Sequence, residues 1–238
     1  RHPVQQHNVS ISGGGKAVRY FLSAGYDKQS GIHKINPDEF RKLNVRANID
    51  ANVKPWLKVS DNVSFFNSDY SYIGANGSDD QDIFVNLRHC PASFPLFNPD
   101  GTGLYANPLV SGYSVANGRQ IVLSMGKHKN DQKKFNFANT AEMVITPVKQ
   151  FNITANVTYR RVQRDDSFRT VNIPYGIRPN EFDAYTTGAG ENALTERHRT
   201  YNYLSSNVFA TYNDTFKNAH NLKVMLGFST ETYHYKND

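Results

Sequence analysis

From Lys42 to Val53 the chain alternates between apolar and polar residues almost without error. Leu43, Val45, Ala47, Ile49, Ala51 and Val53 fall on one side of an extended strand, and Lys42, Asn44, Arg46, Asn48, Asp50 and Asn52 on the other. Successive side chains of a strand point to opposite faces, so this segment has one wall suited to hydrocarbon and one suited to water. A strand of a soluble sandwich has the same pattern. The run here, however, is as long as the ~9–11 residues that a tilted strand needs to cross a bilayer.

The pattern recurs down the chain. Strands are expected at Gln5–Ser12, from Ala17 to about Tyr26, from Leu57 to about Tyr72, at Phe135–Ile145, at Phe151–Arg160, from about Thr200 to Tyr212, and at His220–Thr232. In the fourth, Asp61 interrupts the apolar series Leu57, Val59, Val63, Phe65; a bulge or a shift toward the polar side would accommodate it. Short connections at Gly13–Lys16, Lys54–Trp56, Thr146–Lys149 and Asn213–Ala219 alternate with longer ones at Asp27–Glu39, about 73–134 and about 163–196. The second long connection has room for a short helix around Asp80–Arg88. Short turns on one side and long loops on the other are the signature of an outer-membrane β-barrel, with lipid outside and water inside. The fold class expected is therefore all-β, an antiparallel transmembrane β-barrel. Its lumen-facing positions include Arg46, Asn48, Asp50, Asn52, Asn152, Asn156 and Arg160.

Composition agrees with this reading. The hydrophobic fraction is 38% and the mean hydropathy −0.62, and no apolar run approaches the ~20 residues of a spanning helix. A barrel gives only every second residue to lipid, so its mean hydropathy stays low. Aromatics at 13% would supply interfacial girdles. The net charge of +6 comes without a Lys/Arg-rich block, which sets nucleic acid aside. The single Cys90 excludes an internal disulfide framework.

Several longer stretches resemble one family. His7–Ile32, "HNVSISGGGKAVRYFLSAGYDKQSGI", and Phe40–Phe65, "FRKLNVRANIDANVKPWLKVSDNVSF", are similar to successive barrel hairpins of SusC/RagA-type TonB-dependent transporters of the Bacteroidetes outer membrane. Phe94–Tyr105, "FPLFNPDGTGLY", resembles a segment of a long outer loop of that family, and His220–Thr232, "HNLKVMLGFSTET", a later strand. The resemblance implies that residues 1–238 are a partial transmembrane β-barrel domain: roughly eight strands of a barrel of about 22, with the plug domain and remaining strands lying elsewhere in a longer polypeptide. It further implies TonB-dependent import of glycan or peptide fragments, a SusD-like surface lipoprotein over the mouth, TonB as the energy source, and no enzymatic activity. Two other readings fit the alternation: a passive porin-like channel and a soluble all-β glycan-binding module.

Individual motifs carry little chemistry. Gly13-Gly14-Gly15-Lys16 lacks the following Ser/Thr and helix of a phosphate loop and reads as a turn. Asn98-Pro99-Asp100-Gly101-Thr102 has alternate oxygen ligands but no terminal bidentate Glu, so a Pro-Asp-Gly turn is the better reading than calcium. Asp79-Asp80 and Asp165-Asp166 read as solvated charge at loop edges. No catalytic residue, metal ligand or cofactor is expected. Tyr70, Tyr72, Phe97, Tyr105 and Tyr113 lie in or beside the longest loop, where they either contact substrate or a lid protein or pack within the loop and the interfacial girdle.

Overall fold

The computed structural model describes residues 3–73, 95–103, 125–178, 180–185, 192–217 and 219–238. The expected helix at Asp80–Arg88, the Asp79-Asp80 pair, Cys90, Tyr105 and Tyr113 lie outside them. The strands are β1 (Val4–Gly14), β2 (Val18–Ser30), β3 (Glu39–Lys54), β4 (Leu57–Tyr72), β5 (Lys129–Val148), β6 (Phe151–Thr170), β7 (Ile173–Arg178), β8 (Glu181–Tyr185), β9 (Ala193–Phe216) and β10 (His220–Asn237). One 8-stranded sheet runs β1-β2-β3-β4-β5-β6-β9-β10, each strand antiparallel to its neighbour, and β7-β8 form a separate hairpin. β1 and β10 do not pair with each other, so the sheet is open at both edges.

The strands outrun the alternation that revealed them. The expected loop at about 73–134 ends early, because β5 begins at Lys129; the one at about 163–196 shrinks to the span between Thr170 and Ala193, where β7 and β8 fold back on each other. Apolar alternation stops where a strand leaves hydrocarbon, but backbone pairing continues. In the extension of β2 and β3 the outer face carries the Lys28–Glu39 ion pair (3.1 Å) in place of apolar side chains, and Lys42–Asp27 (2.8 Å) pair across the inner face. Asp165 and Asp166 are therefore strand residues, not loop-edge charges.

Register sorts the two walls. One face runs Val9, Ala24, Val45, Phe65, Phe137 and, on a neighbouring row, Leu22, Ala47 and Val63. It remains exposed, with Val9 at 73%, Leu226 at 80% and Phe228 at 71%. We call it the outer face. At the row of Gly13 the Tyr20 ring lies across the glycine, where a Cβ would meet the phenol oxygen at 2.7 Å. The apolar band is oblique to the hydrogen-bonded rows. Its upper limit lies at Leu43 on β3 and Phe135 on β5, drops to Tyr159 on β6 and its partner Leu204 on β9, and drops again to Phe228 on β10. A level membrane crossing such a band requires tilted strands, as barrel closure does.

Asp61 departs from expectation. No bulge surrounds it: it pairs with Ile49 and Ala141 in unbroken register and stays on the outer face. Asn139, on the same face of β5, donates its amide to the Asp61 carboxylate at 2.6 Å. In the 8-stranded sheet the irregularities lie elsewhere, at Asn52/Lys54 and Ile145/Val148, next to the short turns.

All four short turns lie at one end of the sheet and the three long connections at the other. Cysteine placed at Lys149 should therefore resist an impermeant thiol reagent on intact cells, while cysteine at Lys127 or Asn172 reacts. Labelling of Lys149 with protection of the other two would invert the topology.

Candidate functional site on the inner wall

The face opposite the apolar band carries the polar half of each alternation. Arg46, Asn48, Asp50, Asn52, Asn152, Asn156 and Arg160 all lie on it. They form a hydrogen-bonded lattice across strands. Ser60 donates to Asp50 at 2.6 Å, with Lys58 at 3.3 Å from the same carboxylate. Asn207 donates to Asn156 at 2.9 Å, Thr146 to Asn152 at 2.7 Å, Arg160 to Asn136 at 3.4 Å, and Asn52 to the Lys16 carbonyl at 3.0 Å. Polar groups tied to one another in this way leave side-chain hydroxyls and amides to hold water or a polar ligand.

Toward the long-loop end the wall becomes aromatic and charged. Tyr70 and Tyr72 stack at 4.8 Å, and Phe40 meets Tyr70 edge-on at 6.3 Å. The Tyr70 hydroxyl donates to Asp38 at 3.1 Å. Tyr70 lines a cavity of about 420 Å³ with Phe40, Gln29, Gln132, Lys134 and Arg164. Tyr72 reaches a second cavity of about 560 Å³ at the end of the strands, whose lining residues Glu39, Arg41 and Asp69 belong to the outer face. Of the two tyrosines, Tyr70 faces the concave inner surface at the long-loop end. Phe97 does not join them. It bridges to Gly103 in a short segment held against β7 through Asn98 and Gly176 (3.3 Å).

That segment is a turn. Gly101 has φ 84, a conformation open to glycine, and its N–H donates to the Asn98 carbonyl at 2.9 Å. Asp100 accepts from the Thr102 hydroxyl (2.6 Å) and amide (2.9 Å), and these bonds hold its carboxyl below the ordinary range.

Two features escaped the sequence. The first is Asp166, almost fully buried, paired with Arg164 at 2.9 Å and with Arg199. Asp165 points to the other face and meets His198 at 2.9 Å. The second is a block of four tyrosines. Tyr203 pairs with Tyr233 and Tyr201 with Tyr235 across β9 and β10, all on the inner face. Tyr201 stacks on Tyr235 at 4.6 Å and lies 6.2 Å from Tyr233. The repeated Tyr-x-Tyr spacing at 201–203 and 233–235 was the available signal: period two puts each pair on one face.

Beside β7, His128 is fully buried next to a small apolar cluster of Ile173, Tyr175, Met125 and Val171. Its Nε2–H donates to the Val171 carbonyl at 2.8 Å, while Nδ1 has no partner among the described residues. Burial holds its pKa below the ordinary histidine value. The neutral ring is the form that packs, so stability here is lost as pH falls below about 6.5. Amide exchange at Val171–Tyr175, corrected for intrinsic rates, should quicken between pH 7.5 and 5.5. Unchanged protection would show that the ring does not hold this segment.

No family model matches the chain. Two curated proteins of Formosa agariphila align with nearly all of it. TonB-dependent receptor P3 is 23% identical over 95% of this chain and 21% of its own length. TonB-dependent receptor P39 is 22% identical over 97% of this chain and 20% of its own. The chain thus spans about a fifth of these relatives. Among solved structures, the RagAB peptide importer in its 'closed-closed' state superposes with a TM-score of 0.69 at 20% identity, covering 99% of this chain and 25% of that one. FpvA of P. aeruginosa, bound to a pyoverdine–iron complex, gives 0.56 at 10% identity over 98% of this chain and 26% of that one. These relatives are named as receptors and importers, not enzymes.

Proposed function

We propose, from the premise that the chain is a stretch of TonB-dependent-receptor β-barrel, that the complete protein imports glycan or peptide fragments across the outer membrane. The observation that carries this reading is the two-walled open sheet. Its outer face is a mainly apolar band, broken at the Asp61–Asn139 pair, its inner face carries a polar lattice, and each edge strand has one side unpaired among the described residues. Unpaired backbone is not tolerated in lipid, so further strands must complete the wall. A passive channel closed by these strands alone would need β1 to pair with β10, and they do not.

The division of labour follows. The apolar face holds the strands in lipid. The inner lattice, with Arg46, Asn48, Asp50, Asn52, Asn152, Asn156 and Arg160, faces plug or cargo. Tyr70 and Tyr72, at the long-loop end, meet cargo before it enters. A SusD-like surface lipoprotein covers the mouth, and TonB couples opening to the inner membrane through parts of the polypeptide outside this sheet. RagAB, the fold neighbour described as a peptide importer, lends support to an oligomeric cargo.

Uptake tests the reading. Cells carrying the complete protein should accumulate fluorescently labelled oligosaccharides or peptides, and deletion of TonB should abolish accumulation while leaving the protein in the outer membrane. Uptake that survives loss of TonB would replace the importer with a passive channel.

A further inference from the structure

We infer that the mouth of this barrel selects anionic oligosaccharides, by a tyrosine platform and unpaired cations on the inner face of β5, β6, β9 and β10. The inference rests on the import reading and adds the class of cargo.

Position comes first. The apolar band ends at Leu204 on β9 and Phe228 on β10. Tyr203 and Tyr201 lie beyond Leu204, toward the long-loop end, and Tyr233 and Tyr235 lie beyond Phe228. The four rings therefore face inward above the hydrocarbon layer, at a mouth rather than in the membrane-embedded bore where a plug would sit. Tyr201 and Tyr203, on the interior strand β9, are half-buried, and Tyr233 and Tyr235 on β10 continue the same inner face. Broad, rigid rings with a polar tip give large contact at little entropic cost.

Charge comes second. Arg160 pairs in register with Tyr203, and Lys134 and Arg197 lie higher on the same wall. Among the described residues none of these three forms an ion pair: Arg160 donates to Asn136, and Arg197, opposite Asp166 in the β6–β9 register, lies 5.5 Å over the Phe168 ring while Arg164 and Arg199 hold that carboxylate. Arg164 and Arg199 share the single carboxylate of Asp166, which leaves a further positive surplus, whereas Lys42 is neutralised by Asp27. The opposing acids are Glu231, one inward position below Tyr233, and Asp38, engaged by the Tyr70 hydroxyl. Cations outnumber acids on this surface, and a concave wall of one sign concentrates counter-charged solutes.

Occupant chemistry comes third. Rings, amides and separated cations match a chain of polar rings bearing spaced acidic groups. From Phe40 on β3 to Tyr235 on β10 the wall crosses five strand spacings, about 24 Å of arc, which accommodates an oligomer rather than a single sugar. The acidic group is a carboxylate or a sulfate; the wall's cations serve either.

Equilibrium binding to the purified complete receptor separates this inference from import itself, because it needs no TonB. The probes are tetragalacturonate, its fully methyl-esterified neutral counterpart, a sulfated galactan tetrasaccharide with its desulfated form, and tetraglutamate. At least one acidic sugar should bind about tenfold or more tighter than its neutral partner, with the preference shrinking as salt rises. The double variant Lys134→Ala/Arg197→Ala should lose most of that preference, whereas Tyr235→Ala should weaken acidic and neutral sugars alike. The uronate and sulfate arms identify the anion. Equal binding of acidic and neutral sugars, tighter binding of tetraglutamate than of any sugar, or no binding of any acidic sugar would each overturn the inference. TonB-dependent uptake of a neutral or peptide cargo would then still stand.

Discussion

Replacing Val45 or Val157 with arginine should destabilise the complete barrel by about 2–4 kcal/mol each, near the upper end for the position closer to the bilayer midplane. Both side chains are exposed on the outer face, and both sit inside the apolar run of their strand. Ile153 lies nearer the short-turn limit of the band, so the same change there should cost less. Asn48→Arg makes a control. Asn48 lies on the inner face of β3, two residues from Asp50 on the same wall, so its replacement meets water and the cost should be small. Urea titrations of folding into lipid vesicles give the differences directly. If Val45→Arg and Val157→Arg both matched the parent protein, the outer face would not be the lipid face.

The 238 residues expressed alone should fail to form a stable membrane-inserted sheet. β1 spans 11 residues and β10 spans 18, and each has one edge without a partner. In hydrocarbon each unpaired N–H or C=O costs several kcal/mol, so two open edges together outweigh a typical folding free energy of about 5–15 kcal/mol. Vesicle insertion followed by protease protection measures this. Co-expression with the remaining strands of the same polypeptide should restore protection. Protection of the isolated chain would mean that β1 and β10 find each other, or find a second copy, in the bilayer.

Strand identity and the sorting of residues onto two faces were legible because period-two alternation puts every second side chain on the same side of a strand. Lys42–Val53 showed this most plainly: Arg46, Asn48, Asp50 and Asn52 share the face opposite Val45, Ala47 and Ile49. The strand ends were not legible. Past Leu43 and Tyr159 the outer face turns polar while the inner face carries aromatic as well as charged residues, so the apolar–polar alternation is lost although the backbone ladder continues. Asp166 was unreadable for a related reason. Its burial depends on Arg199, which lies on another strand and is brought into register only by pairing. The tyrosines of β9 and β10 were readable in principle, since Tyr-x-Tyr occurs twice. Only the β9–β10 register, however, shows that the two pairs form one surface.

The Asp61–Asn139 bond bears on how this sheet reaches a single alignment. β3 and β4, like β5 and β6, are joined by tight turns that set which residues face each other. β4 and β5 have no such turn, since the chain leaves at Tyr72 and returns only at Lys129. A slip of two residues between them would preserve the apolar and polar faces and so go unpunished by hydrophobicity. A slip that set Asp61 against Met143, however, would carry Asn139 out of reach and strand a carboxyl group in hydrocarbon. The polar pair thus acts as a ratchet stop, barring one direction of sliding at the junction whose connection is longest.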